Sequence, residues 1–319
     1  PCQISLTTEL IMGVHSSLQV PGLQVFERGW LSANNILLTD DASTTLIDSG
    51  YVTHQDQTLA LVQHALNGRA LDRLINTHLH SDHCGGNALL QQTFLNLETW
   101  IPPGEAEGVR TWNQSLLSYE PTGQLCPQFS YSHLLQPGRC LQMADLEWQI
   151  HAAPGHDPHS VILFEPTHRV LISADALWSN GFGVVFPELE GFAAFNDVGL
   201  TLDLIESLEP QWIIPGHGAV FNDVAGALTN ARLKLNGFIQ NPAKHARYGA
   251  KVLLKYKLLE LHQVETHDFF AWAQDVKYFK VLHALYAANI TIKQWLEELI
   301  DDLARSQALA KDGSRLVNQ

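Results

Sequence analysis

Short apolar runs, separated by glycine and polar residues, alternate with longer amphipathic stretches over roughly the first 220 positions. Runs rich in Val, Leu and Ile predict β-strands at residues 23–27, 35–39, 44–48, 71–76, 147–151, 161–164, 170–173 and 212–214. Apolar positions at helical spacing predict helices at residues 56–65, 86–92, 105–117 and 197–208. Many short strands with interposed helices indicate sheets that are covered by helices.

The pattern changes near Asp223, after which we expect no further strands. Apolar residues recur with the period of a single helix face at Ile292, Trp295, Leu299 and Leu303. We therefore expect two units. Residues 1–222 form an α+β body and residues 223–319 a mainly helical C-terminal module, with a winged helix as the alternative architecture for that module.

Charged residues are also distributed unevenly along the chain. The 319 residues carry a formal net charge of −14, yet no lysine occurs before residue 231. An acidic body disfavours broad nucleic-acid binding, whereas the basic tail keeps that option open. No apolar run is long enough to span a membrane, and Pro1-Cys2-Gln3-Ile4 lacks the pattern of an export signal. Four cysteines without a C-x-x-C pair favour a reducing cytoplasm.

The densest group of chemically active side chains follows the predicted strand at 71–76. The segment Thr77-His78-Leu79-His80-Ser81-Asp82-His83-Cys84-Gly85-Gly86 holds three histidines and one aspartate within six residues. In an extended segment His78 and His80 project to the same side, and a turn brings Asp82 and His83 back toward them. Imidazole and carboxylate are ligands that zinc prefers, so the segment predicts a metal site.

Three further ligand-type residues follow later predicted strands. His156 lies in Ala153-Pro154-Gly155-His156-Asp157-Pro158-His159-Ser160, Asp175 follows residues 170–173, and His217 lies in Pro215-Gly216-His217-Gly218. A strand end is a good place for a ligand because a rigid element delivers it. Each residue alone is a weak signal, but the series supports the first segment.

In this order the motifs resemble the signature of the metallo-β-lactamase superfamily, H-x-H-x-D-H followed by a later His, an Asp and a last His. The resemblance covers about residues 20–220. It implies a four-layer αββα sandwich with two divalent metal ions in a cleft at one edge of the sheets. By this resemblance the first metal is bound by His78, His80 and His156, the second by Asp82, His83 and His217, and Asp175 bridges both. Asp82 is the implied catalytic residue, which also orients the nucleophile. Zinc is the expected metal, with manganese or iron as alternatives.

The chain departs from glyoxalase II, a branch with a similar first motif and a helical C-terminal region. No C-x-G-R-x-x-E segment follows Asp175, and the third motif carries Asp157 and His159 where relatives often have Thr and Gly. These departures weigh against recognition of a glutathione thioester. The segment Asn241-Pro242-Ala243-Lys244-His245-Ala246-Arg247 resembles the start of the C-terminal modules of endoribonuclease-like hydrolases.

The leading hypothesis is a binuclear hydrolase that uses a metal-bridging hydroxide to cleave an ester, thioester or lactone of a small molecule. One alternative is a metal-dependent phosphodiesterase or nuclease whose substrate is held by the basic module through Lys251 and Lys255. Another is a non-catalytic, metal-stabilised assembly protein, and a homodimer through the C-terminal module is a related hypothesis. Trp178, Phe182 and Trp112 are predicted to line the substrate cleft, because aromatic walls are typical of small-molecule sites.

Overall fold

Two facing β-sheets form the centre of the computed structural model, which describes residues 18–319. The predictions made for Pro1-Cys2-Gln3-Ile4 lie outside the described residues. The first sheet has the strand order β1-β2-β3-β4-β5-β6. Its strands are Leu23–Phe26, Asn35–Thr39, Thr44–Ile47, Arg73–Ile75, Glu98–Ile101 and His133–Leu134. Strands β1 to β3 are antiparallel, and β3 to β6 are parallel.

The second sheet has the order β11-β10-β9-β8-β7. Its strands, from β7 to β11, are Cys140–Met143, Leu146–Ala152, Val161–Glu165, Val170–Ala174 and Trp212–Pro215. All neighbours are antiparallel except β10 and β11, which run parallel. The ends of β8, β10 and β11 are followed by the three later ligand-type residues of the sequence.

Apolar side chains fill the space between the two sheets. Ile36 and Ile47 of the first sheet share one buried cluster with Trp148 and Ile172 of the second. The alternate residues of the same strands point outward and pack against helices, as Leu46 does. Strands that are buried on both faces read as continuous apolar runs, which is why the sequence revealed them.

Helices cover the outer face of each sheet. Helices α1 (Gln55–Leu66) and α3 (Asn87–Thr93) pack on the first sheet, and α7 (Phe195–Leu208) and α8 (Val224–Gln240) pack on the second. The layers therefore follow the order αββα, which confirms the predicted fold class.

Short helices complete the body. They are α2 (Ser81–Cys84), α4 (Ala106–Thr111), α5 (Tyr119–Thr122) and α6 (Phe186–Leu189). The helix predicted at 105–117 is shorter in the structure, because Trp112 adopts a left-handed conformation with φ 47° and ends α4.

The C-terminal region combines four helices with a small sheet. The helices are α9 (Pro242–Leu261), α10 (Thr266–Asp275), α11 (Lys277–Tyr286) and α12 (Ile292–Arg305). Strands β12 (Gln263–Glu265), β13 (Leu309–Asp312) and β14 (Arg315–Asn318) form an antiparallel sheet in the order β12-β14-β13. The prediction that strands end near Asp223 was therefore wrong. These strands are short and largely polar, so they contain no apolar run that could reveal them.

The C-terminal region packs directly on the body. Val184 and Leu189 of the body belong to the same buried cluster as the core of helices α9 to α12. At Gly249 an added Cβ would lie 2.7 Å from Leu189 Cδ1, so glycine allows α9 to approach closely. Helix α8, by contrast, packs on the second sheet of the body. The predicted division of the chain into two units at residue 222 stays a prediction. Within residues 18–319 no helix is both long and apolar enough to cross a membrane.

We predict that Leu299→Ala in α12 lowers the free energy of unfolding by about 2–5 kcal/mol, because it leaves a cavity in a closed core. Leu299 is fully buried, whereas Leu285 on α11 is 56% exposed. Leu285→Ala is the matched control and should change stability by no more than about 0.5 kcal/mol. Urea unfolding measures both, and equal losses would contradict this packing.

Candidate metal centre

The first histidine motif lies at the end of β4, a strand flanked on both sides in the first sheet. The chain leaves β4 at Asn76, and α2 begins at Ser81, so the motif makes one tight turn over the sheet edge. A Cβ at Gly86 would lie 2.6 Å from the carbonyl oxygen of Ser49. The second glycine of the motif therefore permits this close approach of two backbones.

Ends of strands in the second sheet deliver the other three ligand-type residues. His156 lies in the loop after β8, Asp175 directly follows β10, and His217 follows β11. A Cβ at Gly216 would lie 2.2 Å from Asp175 Oδ1, so the residue before His217 must be small. The two sheets thus bring their edges together at one point.

All seven predicted ligand residues meet there. His80 Nδ1 lies 2.7 Å from His156 Nε2, and His217 Nε2 lies 3.1 Å from Asp82 Oδ2. Three groups have ligand atoms mutually within 4.8 Å: His78, His80 and His156; His78, His83 and Asp175; and Asp82, His83 and His217.

Asp175 occupies the central position between these groups. Its Oδ1 lies 3.5 Å from His83 Nε2, and its Oδ2 lies 3.4 Å from His156 Nε2 and 3.8 Å from His217 Nε2. Burial opposes the charge, yet the neighbouring His217 and His83 hold the pKa of Asp175 well below its usual value. A buried anion that faces both halves of the cluster is suited to bridge two cations.

The ring nitrogens of the histidines point toward the same place, although their charge states differ. Burial opposes the charge of His83, yet Asp48 and Asp175 raise its pKa well above the usual value. Burial lowers the pKa of His78 well below its usual value and that of His80 to about 3, so both imidazoles are neutral. His78 Nε2 and His83 Nε2 are buried without any hydrogen-bond partner among the described residues. Buried polar atoms are rarely left unpaired, so these orphaned nitrogens fit residues that hold a metal ion.

A second layer of contacts holds the histidines in place. Asp48 Oδ2 lies 2.7 Å from His83 Nδ1, and the same carboxylate accepts hydrogen bonds from the backbone N–H and the hydroxyl of Thr77. His156 Nδ1 lies 2.6 Å from the carbonyl oxygen of Val184. Such partners orient imidazole ligands and select their tautomer. Sequence reasoning missed Asp48, because a single aspartate at the end of a strand carries no spacing signal.

An aromatic cleft opens over the cluster, with about 120 Å³ of space open to water. Trp178 lines it as predicted, and its indole N–H donates to Asp175 Oδ1. Trp30 also lines it and stacks on His217, with ring centroids 5.6 Å apart. Tyr248 and Tyr256 of α9 close another side. These last three residues were missed because they lie far from any motif in the sequence.

Two of the three aromatic residues predicted to line the cleft lie elsewhere, which corrects those predictions. Phe182 is buried in the core under α8 and packs edge-on against Phe238. Trp112 packs against Tyr119 and Phe129, behind the cleft wall. The path of a loop between two motifs cannot be deduced from its residue types, so the sequence did not show where these two rings lie. Cys84 is buried, with its thiol 3.1 Å from the Tyr119 hydroxyl, and does not line the cleft.

Comparison with known proteins adds a family and relatives to this geometry. A family model described as the metallo-beta-lactamase superfamily matches residues 28–217. A hydroxyacylglutathione hydrolase of Xanthomonas euvesicatoria is 26% identical over 246 residues, which cover 76% of this chain and 81% of that protein. A probable metallo-hydrolase of Methanocaldococcus jannaschii is 26% identical over 200 residues, which cover 62% of this chain and 93% of that protein.

Solved structures share the fold over most of the chain. A metallo-beta-lactamase family protein of Thermus thermophilus has a TM-score of 0.56 at 18% identity, and the match covers 94% of this chain and 99% of that one. A beta-lactamase domain protein of Burkholderia ambifaria has a TM-score of 0.57 at 18% identity, and the match covers 84% of this chain and 88% of that one. At these identities the likeness concerns the fold alone.

We predict that Asp48→Ala weakens zinc binding by about 10–100-fold, because His83 and Thr77 lose the carboxylate that orients them. Competition with a coloured chelator measures the affinity. Asp41→Ala, at an exposed position of the β2–β3 turn, is the control and should bind zinc as the unmodified chain does. Equal affinities of the two variants would show that Asp48 does not orient the cluster.

Proposed function

The chain belongs to the metallo-beta-lactamase superfamily, and we propose that it is a binuclear metal-dependent hydrolase that cleaves an ester, thioester or lactone of a small molecule. The observation that carries the proposal is the convergence of seven ligand-type side chains with Asp175 between the two halves. In this proposal His78, His80 and His156 hold one cation, Asp82, His83 and His217 hold the other, and Asp175 bridges them.

Two divalent cations bound by these residues would supply Lewis acidity and lower the pKa of a bound water. The chain itself contributes orientation and exclusion of bulk water. Asp82 lines the cleft and its side chain remains 14% exposed, whereas that of Asp175 is 6% exposed. The Asp82 carboxylate is therefore placed to accept a hydrogen bond from the attacking water and to hold its proton. Trp30 and Trp178 form the aromatic rim against which an acyl or leaving group packs.

The substrate class follows from the cleft and from the relatives. An apolar, aromatic wall beside the metal centre suits a small organic ester, and the hydroxyacylglutathione hydrolases among the relatives favour a thioester. The residues after Asp175 and the pair Asp157 and His159 weigh against glutathione itself as the recognised group. Zinc is the proposed metal, with manganese and iron as alternatives, and the cytoplasm is the proposed location.

The nuclease alternative rests on two lysines whose surroundings differ. Lys255 Nζ donates to the carbonyl oxygen of Ala308 at 2.6 Å and to the side chain of Asn318. Lys251 lies 3.9 Å from an oxygen of Asp302. The Lys255 ammonium group therefore serves contacts within the C-terminal region, whereas Lys251 lines a surface pocket together with Lys244 and Arg247. A homodimer through the C-terminal region stays a prediction, and so does the hypothesis of an assembly protein. The elution volume in size-exclusion chromatography tests both.

We predict that a chelator abolishes hydrolysis of a panel of esters, thioesters and lactones, and that added zinc restores it. Asp82→Asn should lower kcat by about 10²-fold or more, because the carboxylate that accepts the proton is lost. Elemental analysis of the same variant separates a catalytic loss from a loss of metal. Asp56→Asn, at an exposed position of α1, is the control. Activity that survives complete removal of the metal would refute the proposal.

We also predict that Trp30→Ala raises KM on the best substrate of the panel by about 3–10-fold, because an aromatic contact of the cleft is lost. Trp112→Ala is the matched control, since its ring lies behind the cleft wall. Steady-state kinetics on both variants measures the effect. A larger rise in KM for Trp112→Ala than for Trp30→Ala would instead support Trp112 as a substrate contact.

A further inference from the structure

A lysine and a tyrosine lie side by side at the aromatic wall of the metal cleft. Lys234 of α8 donates from Nζ to the Tyr248 hydroxyl oxygen at 3.3 Å and to the carbonyl oxygen of Phe182 at 2.7 Å. Four aromatic ring centroids lie 4.5–5.8 Å from the same ammonium group. Across residues 18–319, Lys234 forms no ion pair with a carboxylate. Aromatic faces and one carbonyl group stabilise this half-buried cation, and none of them neutralises it.

Tyr248 separates the metal cleft from the surface pocket that contains Lys244, Arg247 and Lys251. This pocket has a volume of about 360 Å³ and lies between α8 and α9. Among the residues that the structure describes, Tyr248 alone lines both cavities, whereas Lys234 lines only the surface pocket. The ammonium group therefore approaches the phenol oxygen from the pocket side, and the cleft side of that oxygen is left for a ligand.

The direction of this hydrogen bond decides where the phenol proton can go. An ammonium group can only donate, so the Tyr248 oxygen accepts from Lys234 and its own O–H group points elsewhere. Within the described part of the chain, no residue accepts that proton. Trp178 links the pair to the metal centre, because its N–H donates to Asp175 Oδ1 and its ring centroid lies 5.8 Å from Lys234 Nζ. A substrate atom in the cleft is therefore the acceptor that this proton can reach.

Both groups carry their protons at neutral pH. Burial and the nearby Asp175 raise the pKa of Tyr248 to about 12, and burial lowers the pKa of Lys234 to about 8 against the effect of Asp175. A leaving alkoxide is about as basic as hydroxide, whose conjugate acid has a pKa of about 15.7, whereas a thiol has a pKa of about 8.5. Proton transfer from Tyr248 is therefore downhill to an alkoxide and uphill to a thiolate.

We propose that Tyr248 is a catalytic residue that protonates the leaving oxygen of an oxygen ester or lactone, and that Lys234 is the positioning residue that directs this proton into the cleft. The inference rests on the proposed hydrolase function and narrows its substrate class. When the C–O bond breaks, its electron pair stays on the leaving oxygen, which takes the proton of Tyr248. The phenolate then takes a proton from the Lys234 ammonium group, and the lysine regains one from water in the surface pocket. Asp82 holds the proton of the attacking water, so each proton has its own carrier.

A change of the leaving atom tests the proposal. The zinc-loaded full chain is given the ethyl ester and the S-ethyl thioester of the acid that it cleaves best in the panel. Tyr248→Phe should lower kcat/KM about 10²-fold on the ethyl ester and no more than about threefold on the thioester, because only the alkoxide needs the proton. Equal losses on both esters, or no loss on either, would overturn the proposal and leave the hydrolase function standing.

A second variant tests the positioning role of Lys234 and decides the matter where Tyr248→Phe fails to fold. Lys234→Met keeps the apolar stem among the aromatic rings and should lower kcat/KM on the ethyl ester about tenfold, with the thioester nearly unchanged. Added to Tyr248→Phe, it should cause no further loss, because the lysine acts through the phenol. A lysine that only supports the structure would lower both rates and would add its loss to that of Tyr248→Phe, and this result would overturn its assigned role.

Matched controls make the same chemical changes on the exposed face of α11. Tyr286→Phe and Lys280→Met should leave both rates unchanged, since Tyr286 is 38% exposed and Lys280 is exposed as well. Elemental analysis of every variant separates a lost proton donor from a lost metal ion. An unmodified chain that cleaves thioesters but no oxygen ester would overturn this inference alone. A chain that cleaves no member of the panel would overturn the hydrolase function itself, and this inference with it.

Discussion

The contact on which the site depends is the position of one buried carboxylate between histidines from both sheets. Asp175 faces His83 on one side and His156 and His217 on the other, within 3.4–3.8 Å. Imidazoles and a carboxylate are costly to bury alone, and together they form an environment suited to a pair of cations. The sandwich fold meets this requirement because β4, β8, β10 and β11 all end at the same edge.

The order of the layers and the convergence of the ligand-type residues could be predicted because each leaves a local pattern in the sequence. Buried strands such as Asn35–Thr39 are continuous apolar runs, and the first histidine motif concentrates its side chains within six positions. Asp48 and Trp30 belong to no motif in the sequence, because they contact the site only through loops that are distant along the chain. The C-terminal strands were missed because they are short and mix polar with apolar residues. Gln263–Glu265 pairs with β14, and each of the other two strands buries a single leucine, Leu309 or Leu316.

The basic charge of the C-terminal region is partly balanced within that region. Basic residues of the C-terminal region largely bind acidic groups of the same region. Arg247 contacts Asp302, and Lys257 contacts Glu260. The body carries the excess of acidic residues, because Asp and Glu outnumber Lys and Arg before residue 231.

The C-terminal region is a wall of the cleft as well as an appendage to the body. Tyr256 donates a hydrogen bond to the carbonyl oxygen of Leu31, and Tyr51 of the body donates to Glu260 of α9. These contacts join α9 to the loop that presents Trp30, so one side of the cleft is built from residues more than 200 positions apart. Because α9 also supplies Tyr248 to the cleft, the shape of the substrate site depends on how this helix docks. A different docking of α9 would therefore reshape the cleft while leaving the seven ligand-type residues, which all lie on the body, in place.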